Sequence, residues 1–109
     1  MRILVANEPQ SYRDVVAMAI RVFRPQIEVI VVEPDDLDRE IVHRDPTLVV
    51  CSTLTEIVET RMFAWILLYP DGKTRAEISL GGQRTSLGDI ELTLLLSTVD
   101  EAKVLAGIN

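Results

Sequence analysis

Three short aliphatic runs alternate with two stretches of helical spacing in the first half of the chain, and this alternation limits the fold more than any other feature. The runs lie at 2–6, 27–32 and 47–52, the last centred on Leu48-Val49-Val50-Cys51. Apolar runs of this length without polar alternation mark strands covered on both faces, as in parallel sheets. After the first run, Ser11 begins a helix and stands at capping-box spacing from Asp14. Tyr12, Val15, Val16, Ala19, Ile20 and Phe23 then recur on one helical face. Arg24-Pro25 stops that helix, because the residue before proline avoids the helical region. Pro34-Asp35-Asp36 opens a second, shorter helix with Leu37 and Ile41 one turn apart, and Asp45-Pro46 ends it. Strand, helix, strand, helix, strand with right-handed crossovers predicts a parallel sheet in which the first strand lies between the second and third.

The rhythm changes after residue 52. Residues 53–61 are polar and give at most two helical turns, with Thr53 and Glu56 at capping-box spacing. A fourth strand follows over 62–69. Pro70-Asp71-Gly72-Lys73 is a turn. Residues 74–80 alternate, with Ala76, Ile78 and Leu80 on one side, as a half-covered antiparallel strand does. Gly81-Gly82 is a hairpin signal, and 83–87 form an edge strand. A last helix spans 89–106, with Leu92, Leu95, Leu96, Val99, Ala102 and Ala106 on one face and Gly107 as its stop. The expected fold is therefore α/β: one domain over 1–109, a three-layer open sheet in the order 2-1-3-4-5-6, parallel in the N-terminal half, with an antiparallel hairpin at one edge and a C-terminal helix. The two long helices are expected on one face of the sheet.

Charge and cysteine usage narrow the function. Seventeen acids against eleven Lys and Arg give a net charge of -6. Nucleic-acid binding needs clustered cations, and an anionic membrane surface attracts basic segments, so neither partner is expected. One cysteine permits no internal disulfide and no cysteine-based zinc site, and fits a reducing, cytoplasmic setting. The first apolar run is too short for a signal peptide. Nucleotide-binding glycine loops, a nucleophile elbow and paired metal-binding histidines are all missing, so no cofactor and no metal are expected. Cys51 and His43 belong to opposite ends of the third strand, about 13 Å or more apart, whereas proton transfer needs about 3 Å. No catalytic set is expected, and Cys51 reads as a small buried hydrophobe.

Ile3-Leu4-Val5-Ala6-Asn7-Glu8-Pro9-Gln10-Ser11-Tyr12-Arg13-Asp14 and Pro46-Thr47-Leu48-Val49-Val50-Cys51-Ser52 together make residues 2–52 resemble the receiver domain of two-component response regulators. The first segment is similar to that family's opening strand, acidic pair and first helix. The second is similar to its third strand, which ends in the phosphorylated aspartate. The resemblance implies a flavodoxin-like fold and a signalling role. The family's chemistry needs a hard cation among carboxylates and an aspartate nucleophile. Here the corresponding positions are Asn7, Glu8 and Ser52, one carboxylate out of three. The family's hydroxyl residue after strand four and lysine after strand five are missing too, since strand four ends in Tyr69-Pro70 and the next strand runs antiparallel. The resemblance thus implies a degenerate receiver without phosphoryl transfer.

Two surfaces are candidates for function. Asn7, Glu8, Ser11 and Ser52 converge at the carboxyl edge of the sheet, where open α/β folds bind ligands; the same residues also serve as ordinary turn and capping residues. In the fourth strand, Phe63, Trp65, Leu67 and Tyr69 point one way. The second helix and residues 53–61 offer little to cover them, so they form an apolar surface for a homodimer or another signalling protein, unless 53–61 and the Pro70 loop fold over it. The seven acids from Glu28 to Asp45 are either a docking face for a basic partner or a solvated helix. The leading expectation is a non-catalytic regulatory domain that acts by protein–protein contact, chiefly self-association. The alternative is a small-ligand or metal sensor at the carboxyl edge.

Overall fold

A computed structural model describes residues 1–108. Asn109, the last position of the domain expected over 1–109, lies outside the described residues. The elements are β1 (Arg2–Ala6), α1 (Gln10–Phe23), β2 (Glu28–Val31), α2 (Leu37–Arg44), β3 (Leu48–Cys51), α3 (Glu56–Arg61), β4 (Ala64–Leu68), β5 (Ala76–Leu80), β6 (Gln83–Leu87) and α4 (Leu92–Leu105). They form one six-stranded sheet in the order β2-β1-β3-β4-β5-β6. The β1–β2, β1–β3 and β3–β4 ladders are parallel. β5 and β6 return antiparallel at one edge. The expected fold class and strand order hold.

Each face of the sheet carries its own apolar layer. Ile3, Val5, Leu48, Val50, Ile66 and Ile78 point toward α1 and α4. Leu4, Val49, Cys51, Trp65 and Leu67 point toward α2 and α3. Strand periodicity of two sends alternate residues of β1, β3 and β4 to opposite faces, which is why these strands read as unbroken aliphatic runs. The two long helices do share a face. The Arg24 guanidinium at the end of α1 donates from Nε and Nη2 to both carboxylate oxygens of Asp100 on α4, each at 2.8 Å.

The helix ends follow local chemistry, with two departures. α1 begins earlier than expected: its cap is Pro9, whose carbonyl accepts from the Tyr12 and Arg13 N–H groups at 3.0 and 3.2 Å, and no side chain caps it. Ser11 therefore lies inside the first turn and forms no capping box with Asp14. α3 is capped by Thr55 rather than Thr53; the Thr55 Oγ1 accepts from the Val58 N–H at 3.2 Å and donates to Asp38 at 2.6 Å, tying α3 to α2. α2 closes at Asp45, whose φ of 47° turns the chain into Pro46. Gly81 and Gly82 have φ of 57° and 86°, the pair of positive values that a tight hairpin demands. Among the described residues, no helix is long and apolar enough to cross a membrane.

Candidate functional site

Parallel strands deliver the loops after β1, β3 and β4 to one edge, and three of the four expected residues meet there. Ser52 Oγ accepts the backbone N–H of Glu8 at 2.6 Å. Asn7 is fully buried; its Nδ2 reaches the Leu68 carbonyl at 3.4 Å, and its Oδ1 has no partner. Ser11, the fourth, stays exposed on α1 and lines none of the clefts at this edge. The early helix start turns it away. Two open clefts flank Tyr69. One, of about 380 Å³, lies between Glu8, Ser52, Thr53 and Asp71. The other, of about 350 Å³, lies between Glu8, Tyr12, Lys73 and Thr74.

Tyr12 is a site residue that sequence reasoning missed, and Tyr69, expected in the apolar surface of the fourth strand, belongs to this edge instead. Their rings stack at 5.0 Å with planes 9° apart, and the Tyr69 hydroxyl donates to Asp89. Burial and the charge of Asp89 push the Tyr12 phenol above its ordinary range. Tyr69 adopts φ 52°, as rare for a bulky side chain as it is costly, about 1–3 kcal/mol. The available signal was positional: both tyrosines adjoin the carboxyl edge, one at a helix start and one at a strand end.

Among the described residues, no three His, Cys, Asp or Glu side chains gather as a metal set. Cys51, at the end of β3, is buried, and burial pushes its thiol up to about 12, so it stays protonated at neutral pH. His43 stands in the last turn of α2, ahead of β3, at the other edge of the sheet.

No family model, curated protein or solved structure matches this chain.

The β4 strip does not form the thinly covered surface expected of it. Trp65 and Leu67 are interior, 2% and 4% exposed, beneath Leu37, Ile41 and Val58 of α2 and α3. The segment at 53–61 does fold over them. The Arg84 guanidinium, held by Glu77 and Glu59, lies 4.9 Å over the Trp65 ring. Phe63 and Tyr69, the other two members, sit at opposite edges of the sheet. Phe63 precedes β4 and packs against Gly81, and Tyr69 follows β4.

The acidic stretch is likewise mostly engaged within the chain. Glu28 pairs with Arg2, Glu33 with Arg13, Asp36 with Arg39 and Glu40 with Arg44. Hydrogen bonds from Arg2 and from Arg44 hold the Glu28 and Glu40 carboxyls below the usual range.

The exposed apolar surface lies on α1 instead. Arg13, Val16, Ala17 and Ile20 are the buried positions of that helix. Val15 and Phe23, expected inward, are more than half exposed. Val15, Met18 and Val22 form a ridge on the side away from the core, 60%, 62% and 63% exposed. Two arginines account for the rotation. Arg13 donates to the Val32 carbonyl at 3.2 Å and Arg21 to the Val29 carbonyl at 2.8 Å, drawing α1 toward the β2 edge.

Proposed function

We propose that this chain is a non-catalytic, receiver-like regulatory domain that acts by binding protein, and that the outer side of α1 is the surface it uses. The reading is carried by one observation: the ridge of Val15, Met18 and Val22, each at least 60% exposed on the helix side opposite the core. An ordinary surface helix has one apolar stripe and a polar outer face. A second stripe in water gains nothing for folding, and contiguous apolar surface of this kind marks interaction sites. The receiver-like order of the first five elements, with Ser52 where the family has its acceptor aspartate, supports regulation without phosphoryl transfer. The acidic net charge favours a protein partner over nucleic acid or an anionic membrane.

A photoreactive residue placed at Met18 and irradiated in an extract of the source cells tests this. A covalent protein adduct is expected there, with none from the same residue at Thr60 on the exposed side of α3. Absence of any adduct at Met18 overturns the reading.

A second reading, a small-ligand sensor at the carboxyl edge, is favoured by the two open clefts that Glu8 and Tyr69 line together there. A thermal-shift screen with nucleotides and divalent metals tests it. A ligand at one hundred times its dissociation constant stabilises by about 2.7 kcal/mol, and a flat screen removes this reading.

A further inference from the structure

We infer that the partner seated on α1 is a second copy of this chain, packed antiparallel, with Asp14 of each copy paired to Arg21 of the other. This rests on the reading of α1 as the binding surface and adds to it the identity and orientation of the occupant. Val15, Met18 and Val22 are separated by three and then four positions, the spacing of a seam along which two helices interlock. The helix has fourteen residues, about 21 Å of contact length.

The flanking charges select the partner. Asp14 and Arg21 each stand one residue before a ridge valine, seven positions apart, so they lie on the same flank of the seam. That flank faces β2, since Arg21 donates to the Val29 carbonyl. When a two-fold axis relates antiparallel helices, each flank meets its own counterpart. With the axis level with the midpoint of Asp14 and Arg21, between Ala17 and Met18, Asp14 comes level with Arg21 of the second copy, and the pair forms twice. Val15 of one copy then falls between Met18 and Val22 of the other. In a parallel pair, this flank would meet the opposite one, which carries Tyr12 and Ala19, and neither charge would find a partner. Both groups are available. Among the described residues Asp14 is exposed and makes no ion pair. Arg21 uses one donor on Val29, and a guanidinium has five. A chain whose own flank carries both members of a complementary pair at this spacing is self-complementary, the requirement of a two-fold interface.

Light-scattering mass across a concentration series tests the inference. The unmodified chain is expected to be a dimer. Asp14→Arg and Arg21→Asp, each alone, turn both pairs repulsive and weaken the dimer about tenfold. Mixed in equal amounts they regain full affinity, because both cross-pairs become attractive again. Met18→Glu weakens the dimer about a hundredfold. Asp14 is exposed, so Asp14→Arg is expected to leave the far-UV spectrum of the folded chain unchanged, which separates loss of pairing from loss of fold. A dimer indifferent to both charge variants, or variants whose mixture stays dissociated, overturns the antiparallel arrangement. An unmodified chain that remains monomeric while Met18 cross-links to a different protein overturns the second copy as occupant and leaves α1 as the binding surface. No adduct at Met18 overturns both.

Discussion

Tyr69 and Trp65 are four positions apart on the same run of sequence, yet they do opposite work. Trp65 is the largest fully buried side chain, and it fills the layer between β4 and the short helices α2 and α3. Deleting its ring leaves a void that a close-packed interior cannot collapse. Trp65→Ala is therefore expected to cost about 3–5 kcal/mol in denaturant unfolding. A loss under about 1 kcal/mol would mean that the ring is not packed as described. Tyr69 ends the same strand in a left-handed conformation and is held there from several sides. Its ring lies on Tyr12, its hydroxyl reaches Asp89, and its N–H donates to the Arg75 carbonyl at 2.9 Å. That clamp sets the shape of both clefts at the carboxyl edge.

At the scale of elements, side-chain chemistry on the helices decides which face of the sheet they cover and how they turn. Hydropathy spacing alone places the inner face of α1 on Tyr12, Val15, Val16, Ala19, Ile20 and Phe23. Arg13 and Arg21 turn it toward β2 because they donate to the Val32 carbonyl just past that edge strand and to the Val29 carbonyl within it. Carbonyls left open at a sheet edge invite pairing with other chains. The contact between α1 and α4 is polar at one end, where Arg24 grips Asp100 with two hydrogen bonds, and this pairing holds the Asp100 carboxyl below its usual range. The pair's contribution to stability is complete above the carboxyl's unfolded value of about 3.9 and is lost as pH falls through the lowered folded value. Asp100→Asn is accordingly expected to be less stable than the unmodified chain at neutral pH. The gap should close in strong acid, as read by melting temperature against pH. A gap that does not depend on pH would remove the ion pair as its cause.

At the scale of the whole molecule, two apolar layers share a single sheet, and every central strand contributes to both. Neither layer can open without stripping the other face of β1, β3 and β4. Fluorescence of Trp65, the only tryptophan, reports on the α2–α3 layer. Far-UV circular dichroism reports on all helices and strands. The two signals are expected to give coincident urea midpoints, as a single cooperative transition requires. Separate midpoints would show that the layers unfold independently.

Strand order, the parallel front half, the Gly81-Gly82 hairpin and the convergence of Asn7, Glu8 and Ser52 were all legible in the residues. They follow from local rules: unbroken aliphatic runs for strands buried on both faces, proline and glycine at turns, and the fixed hand of crossovers. The burial of Trp65, the outward turn of Val15, Met18 and Val22, the displacement of Ser11 from the carboxyl edge and the stacking of Tyr12 on Tyr69 were not legible in that way. Each depends on which distant group a side chain meets. Residues 53–61 cover Trp65, Arg13 reaches Val32, and Asp89 holds Tyr69. Periodicity says that a helix has an apolar side; only the competition among all packed neighbours decides which side faces the sheet and which is left to meet another molecule.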